Sequence, residues 1–171
     1  MKIPLKDILI RTNLQAGDLG HVVSMHGLLY KQEYNYGIAF ESYVAAGLHE
    51  FYSNYDIHKD RVWICEYGNE MVGFLLLMHR ENNSSQLRYF IIHPDFRGIG
   101  LGTHLMNLYM DFFTESRYSS SYLWTTAELT AAAALYTRYG FLLTAEKVSS
   151  EFGKPVIEQR YDLVKDKQRR V

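Results

Sequence analysis

Apolar positions recur along this chain with two periods, and the switches between them mark its elements. Ile8 to Arg11 alternates as a short strand. Asp18 then predicts the cap of a helix carrying Leu19, Val22, Val23 and Met25 toward about Tyr34, and after Gly37 a second helix runs from about Phe40 to Tyr52. Arg61 to Tyr67 and Met71 to His79 alternate as strands, with the hairpin signal Gly68-Asn69 between them. A polar turn over Glu81 to Ser85 precedes a strand from Gln86 to Ile92. Helical spacing returns at Leu101, Leu105, Leu108 and Phe112, which fall on one face of a helix ending near Arg117. Ser121 to Thr125 reads as a strand and Thr130 to Tyr139 as an alanine-rich helix stopped by Gly140. Phe141 to Ser149 and Val156 to Val164 close the chain as two strands. The order is β-α-α-β-β-β-α-β-α-β-β, without repeat, linker or low-complexity tract, so residues 1-171 are expected to form one domain.

Composition narrows the function. A chain of 171 residues buries roughly 70% of its unfolded surface, enough for one substantial core. Its 18 basic and 19 acidic residues nearly cancel, which argues against nucleic acid or an anionic membrane as partner. The basic stretch Lys165 to Arg170 is short and reads as a solvated terminus. The single cysteine, Cys65, excludes an internal disulfide; within Trp63-Ile64-Cys65 it reads as a small buried thiol of a reducing compartment. Pro4, Lys6 and Asp7 interrupt any signal sequence, and no apolar run approaches the ~20 residues of a membrane span. The expected location is the cytoplasm. No pair of His, Cys or carboxylate residues has metal-ligand spacing, so no metal is expected.

Arg97 to Thr103 read R-G-I-G-L-G-T and join the apolar strand to the helix that follows. Glycine at Gly98, Gly100 and Gly102 removes the Cβ atoms that would keep an anion from the backbone. The orphan N–H groups of the first helical turn and the positive end of the helix dipole then make a phosphate seat. A dinucleotide fold would need this seat after its first strand, inside a βαβ unit, whereas hairpin-linked strands and two helices precede it here. A P-loop is excluded because no Gly-Lys-Ser/Thr follows.

Order and motif together resemble the GNAT superfamily of acyl-CoA-dependent N-acetyltransferases. The family signature Q/R-x-x-G-x-G/A stands as Arg97-Gly98-Ile99-Gly100-Leu101-Gly102, after His93-Pro94-Asp95. A second, N-x-x-A-x-x-x-Y-x-x-x-G-F, is matched at Ala132, Tyr136, Gly140 and Phe141, with Leu129 in place of asparagine. The likeness is greatest to acetyltransferase domains found behind MarR-type winged helices, through Gly17 to Val23, Leu29 to Tyr34, Leu123-Trp124-Thr125 and Glu158-Gln159-Arg160. Only a dozen residues precede the match, so DNA recognition is not expected of this chain. The resemblance implies an α/β (α+β) fold: a mixed, mostly antiparallel sheet of about seven strands with splayed central strands, flanked by about four helices.

It also implies the chemistry, the attack of an amine on the thioester of acetyl-CoA, the co-substrate. In the family the pantetheine arm lies along the strand before the glycine loop, here Phe90, Ile91 and Ile92. The diphosphate lies on the loop from Arg97 through Thr103, that is Gly98, Ile99, Gly100, Leu101, Gly102 and the Thr103 hydroxyl. Tyr136 stands where the family's tyrosine hydrogen-bonds the departing sulfur, or else serves only as a core tyrosine beside Phe141. Glu33 and Tyr34 fall in the wall of the acceptor site, with Glu33 the leading general base; Glu41, Glu128, His93 and a water chain remain alternatives. Tyr30, Tyr34, Tyr36 and Tyr43 suit either an aromatic pocket for an amine or the packing of helices on the sheet. The acceptor is a small-molecule or peptide amine, and the terminal strands offer an edge for a homodimer. Loss of turnover would leave a non-catalytic acyl-CoA sensor or interaction domain of the same fold.

Overall fold

In the computed structural model, which describes residues 3–165, strands and helices follow in the order expected. β1 (Leu9–Arg11) leads to α1 (Asp18–Tyr34), α2 (Ile38–Ser53), β2 (Arg61–Tyr67), β3 (Glu70–Arg80) and β4 (Ser84–Ile92). Then come α3 (Leu101–Glu115), β5 (Ser120–Thr126), α4 (Thr130–Arg138), β6 (Leu142–Ser149) and β7 (Val156–Val164). The basic stretch read from Lys165 onward lies, beyond Lys165, outside the described residues.

Two local expectations are corrected. β4 starts at Ser84 rather than Gln86, because Asn82 and Asn83 both take left-handed φ values (56° and 54°) and close a tight turn. That frees Ser84 to pair with Arg80 and with Ser120. Asp18 does not cap α1: Gly17 occupies the cap position, without a side-chain hydrogen bond. The Asp18 carboxylate accepts from the Arg11 guanidinium at 2.5 and 2.8 Å and from the Gln15 N–H at 2.6 Å. It thereby ties the start of α1 back to β1.

Seven strands form one sheet in the order β1-β2-β3-β4-β5-β7-β6, antiparallel throughout except for the parallel β4–β5 pair. Gly68 and Asn69, with φ of 59° and 68°, make the expected hairpin turn between β2 and β3. Each face of the sheet carries its own core. Val22 and Leu29 of α1 with Val44, Leu48 and Phe51 of α2 cover Ile64, Phe74 and Leu76. On the other face α3 and α4 cover Trp63, Leu75, Leu77 and Leu87. The buried stripe of α3 is Leu101, Leu105, Met106, Tyr109 and Phe113, so Leu108 and Phe112 lie on its flank rather than at its centre. Tyr109 is tolerated inside because its hydroxyl bonds Ser121 Oγ at 2.6 Å. On α1 the stripe runs Val22, His26, Leu29, while Leu19, Val23 and Met25 are only partly buried.

Two departures from regularity in the middle of the sheet create a cleft. β4 and β5 pair only at Ser84↔Ser120, Ser85↔Ser121 and Gln86↔Tyr122. Beyond that point β5 stays with β7 as far as Thr126, and the two parallel strands separate. On its other side β4 carries a bulge: Phe74 opposes Ile91 and Leu76 opposes Arg88, leaving Tyr89 and Phe90 both opposite Leu75. Tyr89 holds φ 54°, unusual for a bulky side chain. The extra residue resets the alternation, so Arg88 and Tyr89 both face the α1 and α2 side while Phe90 faces α4.

Candidate active site

From Leu87 to Ile92 the edge of β4 that faces β5 has no ladder partner in the sheet. Backbone groups on such an edge need water, a side chain or a ligand. The gap opens into two cavities that meet. The larger, about 430 Å³, is lined by Phe90, Ile91 and Ile92, by Arg97, Gly98, Gly100, Gly102 and Thr103, by Glu33 and Tyr34 of α1, and by Glu128 and Tyr136. The smaller, about 120 Å³, lies under α1 and α2. Tyr30, Phe90, Leu129, Ala132 and Tyr136 line both and form the junction.

Nearly all the residues singled out for the co-substrate thus meet at one cavity. Ile99 and Leu101 are not among its lining; the Leu101 side chain is 1% exposed, inside the core. Gly98 and Gly100 take φ of 73° and 91°, a conformation that a side chain would strain, and they turn the chain from β4 into α3. Neither a capping side chain nor an acidic residue occupies the first turn of α3. Its leading N–H groups and dipole are therefore unanswered among the described residues. Those amides beside a Cβ-free turn fit the diphosphate of an acyl-CoA.

Arg97 does not reach toward that seat. Its Nε donates to the Ile92 carbonyl at 2.9 Å, and its two terminal nitrogens donate to both Glu33 carboxylate oxygens at 2.8 and 2.9 Å. This fork joins the end of α1 to the glycine loop. It also occupies the Ile92 carbonyl and both oxygens of the expected base, so in this arrangement Glu33 positions Arg97. Among the other candidates, Glu128 lines the larger cavity, where Lys154 Nζ donates to it at 2.6 Å and the Tyr36 hydroxyl at 3.0 Å. Neither Glu41 nor His93 lines either cavity. His93 accepts from the Asp95 N–H at 3.4 Å and so fixes the turn after β4.

Tyr136 sits on the inner face of α4, its ring 6.3 Å from Phe90 and 6.2 Å from Phe141. Burial raises the pKa of its hydroxyl, and no hydrogen bond contributes. The group stays protonated at neutral pH and free to donate. The Tyr139 hydroxyl lies 2.6 Å from Asn107 Oδ1, to which it donates, and 3.0 Å from the Thr103 carbonyl, which holds α4 against α3.

The tyrosines pack in the core and also line cavity walls. Tyr30 stacks on Phe40 at 4.6 Å and Tyr36 on Phe152 at 5.6 Å, as core packing requires, and these same rings wall the smaller cavity. Tyr34 belongs to the larger cavity instead. The wall also holds His26, Arg88 and Tyr89, which no motif marked, and Trp124 and Glu158, marked only by the family-like segments. His26 sits on the apolar stripe of α1, its Nδ1 2.8 Å from the Val22 carbonyl, and burial lowers its pKa to about 4. A polar residue at the buried spacing of Val22 and Leu29 was the available signal. Cys65 is buried as expected, and burial pushes its thiol up to about 12.

The family profile described as acetyltransferase (GNAT) family matches residues 29–141, well over half of the chain, and spans β4, the glycine loop, α3 and α4. The chain belongs to the GNAT family of acetyltransferases. This acetyltransferase is 34% identical over 112 residues to an uncharacterized N-acetyltransferase of Escherichia coli, covering 62% of this chain and 67% of that one. It spans less than half the length of two further curated relatives, 39% and 48%. Its fold matches a GNAT acetyltransferase from Staphylococcus aureus with a TM-score of 0.73 at 19% identity, over 92% of this chain and 98% of that one. It also matches spermidine N-acetyltransferase from Vibrio cholerae, solved with CoA and spermine, with a TM-score of 0.64 at 21% identity, over 93% and 96% of the two chains. As a GNAT member the chain is an acyl-CoA-dependent N-acetyltransferase. Among the described residues, no group of three or more His, Cys, Asp or Glu could hold a metal ion, and no helix is long and apolar enough to cross a membrane.

Proposed function

We propose that this acetyltransferase moves the acetyl group of acetyl-CoA to a primary amine by direct attack of the amine on the thioester. The observation that carries this is the unpaired edge of β4, which runs into the glycine loop with Tyr136 at the junction of the two cavities. Bound acetyl-CoA supplies an activated thioester. Phe90 and Ile91 offer main-chain groups to an amide-bearing arm, as a sheet edge does to an added strand. The amides from Gly98 through Thr103 hold the diphosphate, and Glu33 keeps Arg97 folded against Ile92 beside it. The protonated Tyr136 hydroxyl donates a hydrogen bond to the departing sulfur.

The acceptor enters through the smaller, aromatic-walled cavity and must be neutral at the junction. At pH 7 deprotonation costs a lysine-like amine about 4–5 kcal/mol and an α-amine about 1 kcal/mol. With Glu33 held by Arg97, turnover draws on the neutral fraction of the amine, and kcat/KM is expected to climb with pH up to the acceptor's pKa. The alternative, a non-catalytic sensor, draws on Leu129, which occupies the α4 cap position without a side-chain hydrogen bond. A thiol-release assay across a panel of amines, beside calorimetry with acetyl-CoA, decides. Binding with release supports the enzyme, binding without release from any amine supports the sensor, and no binding at millimolar acetyl-CoA removes both.

The subgroup found behind MarR-type winged helices is supported by the segments around Gly17 to Val23 and Glu158 to Arg160. A reducing, cytoplasmic setting fits the single buried thiol. A homodimer through the terminal strands is supported by edge strand β6, where Leu142 and Val148 are 65% and 81% exposed.

A further inference from the structure

Val156 and Glu158 share the face of β7 that turns toward α1 and α2, and strand alternation carries both inside. For valine this is ordinary. Glu158, paired in register with Thr126 on β5 and Lys147 on β6, is only 6% exposed. Its Oε2 lies 3.5 Å from Lys147 Nζ, whereas its Oε1 is buried with no hydrogen-bond partner among the described residues. A buried carboxylate oxygen left unmet by the chain is costly, and such a group calls for a donor from outside it, water or the N–H of a ligand.

Glu158 lines the smaller cavity, whose other walls are largely rings: Tyr30, Tyr36, Phe40, Trp124, Tyr136 and Phe152. Aromatic faces attract a compact cation, and a carboxylate among them completes an ammonium site. Of the positive groups nearby, Lys147 pairs with Glu158 at Oε2, and the others are committed elsewhere. Arg88 reaches Glu50 at 3.4 Å and lies 4.7 Å over the Tyr89 ring. Lys154 donates to Glu128 at 2.6 Å, and Lys147 extends over the Trp124 ring at 5.0 Å. His26 is neutral, since burial lowers its pKa to about 4.

We infer that the acceptor is a diamine-type cation: Glu158 Oε1 holds one of its ammonium groups inside the aromatic cavity while its other amine faces Tyr136 at the junction. The inference rests on the proposed amine acetylation and names its substrate class. The two nitrogens have opposite needs. A reacting nitrogen has to be uncharged, so a charged carboxylate is best matched by a second nitrogen that keeps its proton.

The test is calorimetry on protein saturated with CoA, with 1,4-diaminobutane and 1-aminobutane as probes. Wild type binds the diamine at least tenfold more tightly than the monoamine, a preference of about 1.4 kcal/mol. Glu158→Gln keeps the shape without the charge and removes this preference; because Oε1 has no partner to lose, its melting temperature is no lower than that of wild type. Lys147→Met, at an exposed position, removes the cation that competes for Oε2 and tightens diamine binding several-fold. Equal binding of both amines by wild type, or a preference that survives Glu158→Gln, overturns the inference. So does a kcat lowered alike for both amines by Glu158→Gln with KM unmoved, which would make Glu158 a proton acceptor. Absence of thiol release with saturating 1,4-diaminobutane, where the binding preference and its loss in Glu158→Gln are both seen, strikes acetyl transfer itself and leaves the diamine site standing.

Discussion

Replacing Gly102 with alanine adds one methyl group at the start of α3, and the two consequences have opposite signs. The new Cβ would lie 3.6 Å from Ile92 Cδ1 and from Leu135 Cδ2, and 3.9 Å from Phe90 Cζ, ordinary contacts that displace nothing. Gly102 is helical, without the left-handed φ of Gly98 and Gly100, so alanine favours the folded state by up to about 1 kcal/mol. For a domain of this size that raises Tm by about 2–4 °C. Yet Ile92, Leu135 and Phe90 all line the larger cavity, so the methyl stands where a diphosphate would approach the first-turn amides. Loss of one charge-assisted hydrogen bond, about 1.5–3 kcal/mol, weakens acetyl-CoA about 10- to 100-fold. Thermal melts without ligand and calorimetry with acetyl-CoA read the two effects separately. Gly100→Ala is the control: at φ 91° alanine costs about 1–2 kcal/mol of stability before any ligand is added. A Gly102→Ala protein that is fully stable and binds acetyl-CoA as wild type does would put the diphosphate elsewhere and refute the seat.

Tyr136→Phe removes only the hydroxyl: kcat is expected to fall about 10²- to 10⁴-fold with acetyl-CoA affinity kept, and unchanged turnover would return Tyr136 to a packing role. Glu33→Gln loosens Arg97, so the Kd for acetyl-CoA rises while kcat at saturation stays within about threefold of wild type; a loss of 10²-fold or more in kcat would restore Glu33 as the base. His26 gives a pH dependence of stability. Because burial lowers its pKa from 6.5 to about 4, the unfolded chain takes up a proton between these values that the folded chain refuses. Stability present above pH 6.5 is therefore lost as pH falls, by about 3 kcal/mol at pH 4. Denaturant titrations of wild type and His26→Phe at pH 7.5 and 4 should differ by that amount, and identical losses would mean that His26 is not held neutral.

What could be read in the chain was what is local. The glycine loop announces itself within seven residues, Arg97 to Thr103, and the β2–β3 hairpin within two, Gly68-Asn69. The bulge in β4 could not be read. Leu87 to Ile92 looks like a regular buried run, and the left-handed position falls on Tyr89, where no glycine marks it. Tertiary packing imposes that conformation: Tyr89 lies against α2, where a Cβ at Gly47 would come within 2.0 Å of its hydroxyl. The Arg97–Glu33 fork joins residues 64 apart, and Glu158 is buried only because α1 and α2 cover its face of β7. Spacing carries no trace of either. Glu33 and Arg97 both stand at the site but spend their charges on each other.

The single parallel pair in the sheet and the anion seat have one cause. A hairpin after β4 would return the chain beside it through a tight turn and satisfy both edges. Here the chain instead crosses over through α3, as a parallel pair requires, and the crossover delivers a helix N-terminus to the carboxyl end of β4. Three paired residues are enough to anchor β5 at the far end, since β5 has a complete antiparallel partner in β7 and β4 has one in β3. Each strand is thus stable without the other, which lets them diverge toward the loop. The divergence leaves main-chain groups of β4 open beside the unanswered amides of α3, and both are reached from the cavity that contains Tyr136. Acyl-CoA recognition at the proposed seat needs few specialised side chains, because the topology presents the backbone; the side chains proposed to choose the acceptor lie across the junction, under α1 and α2.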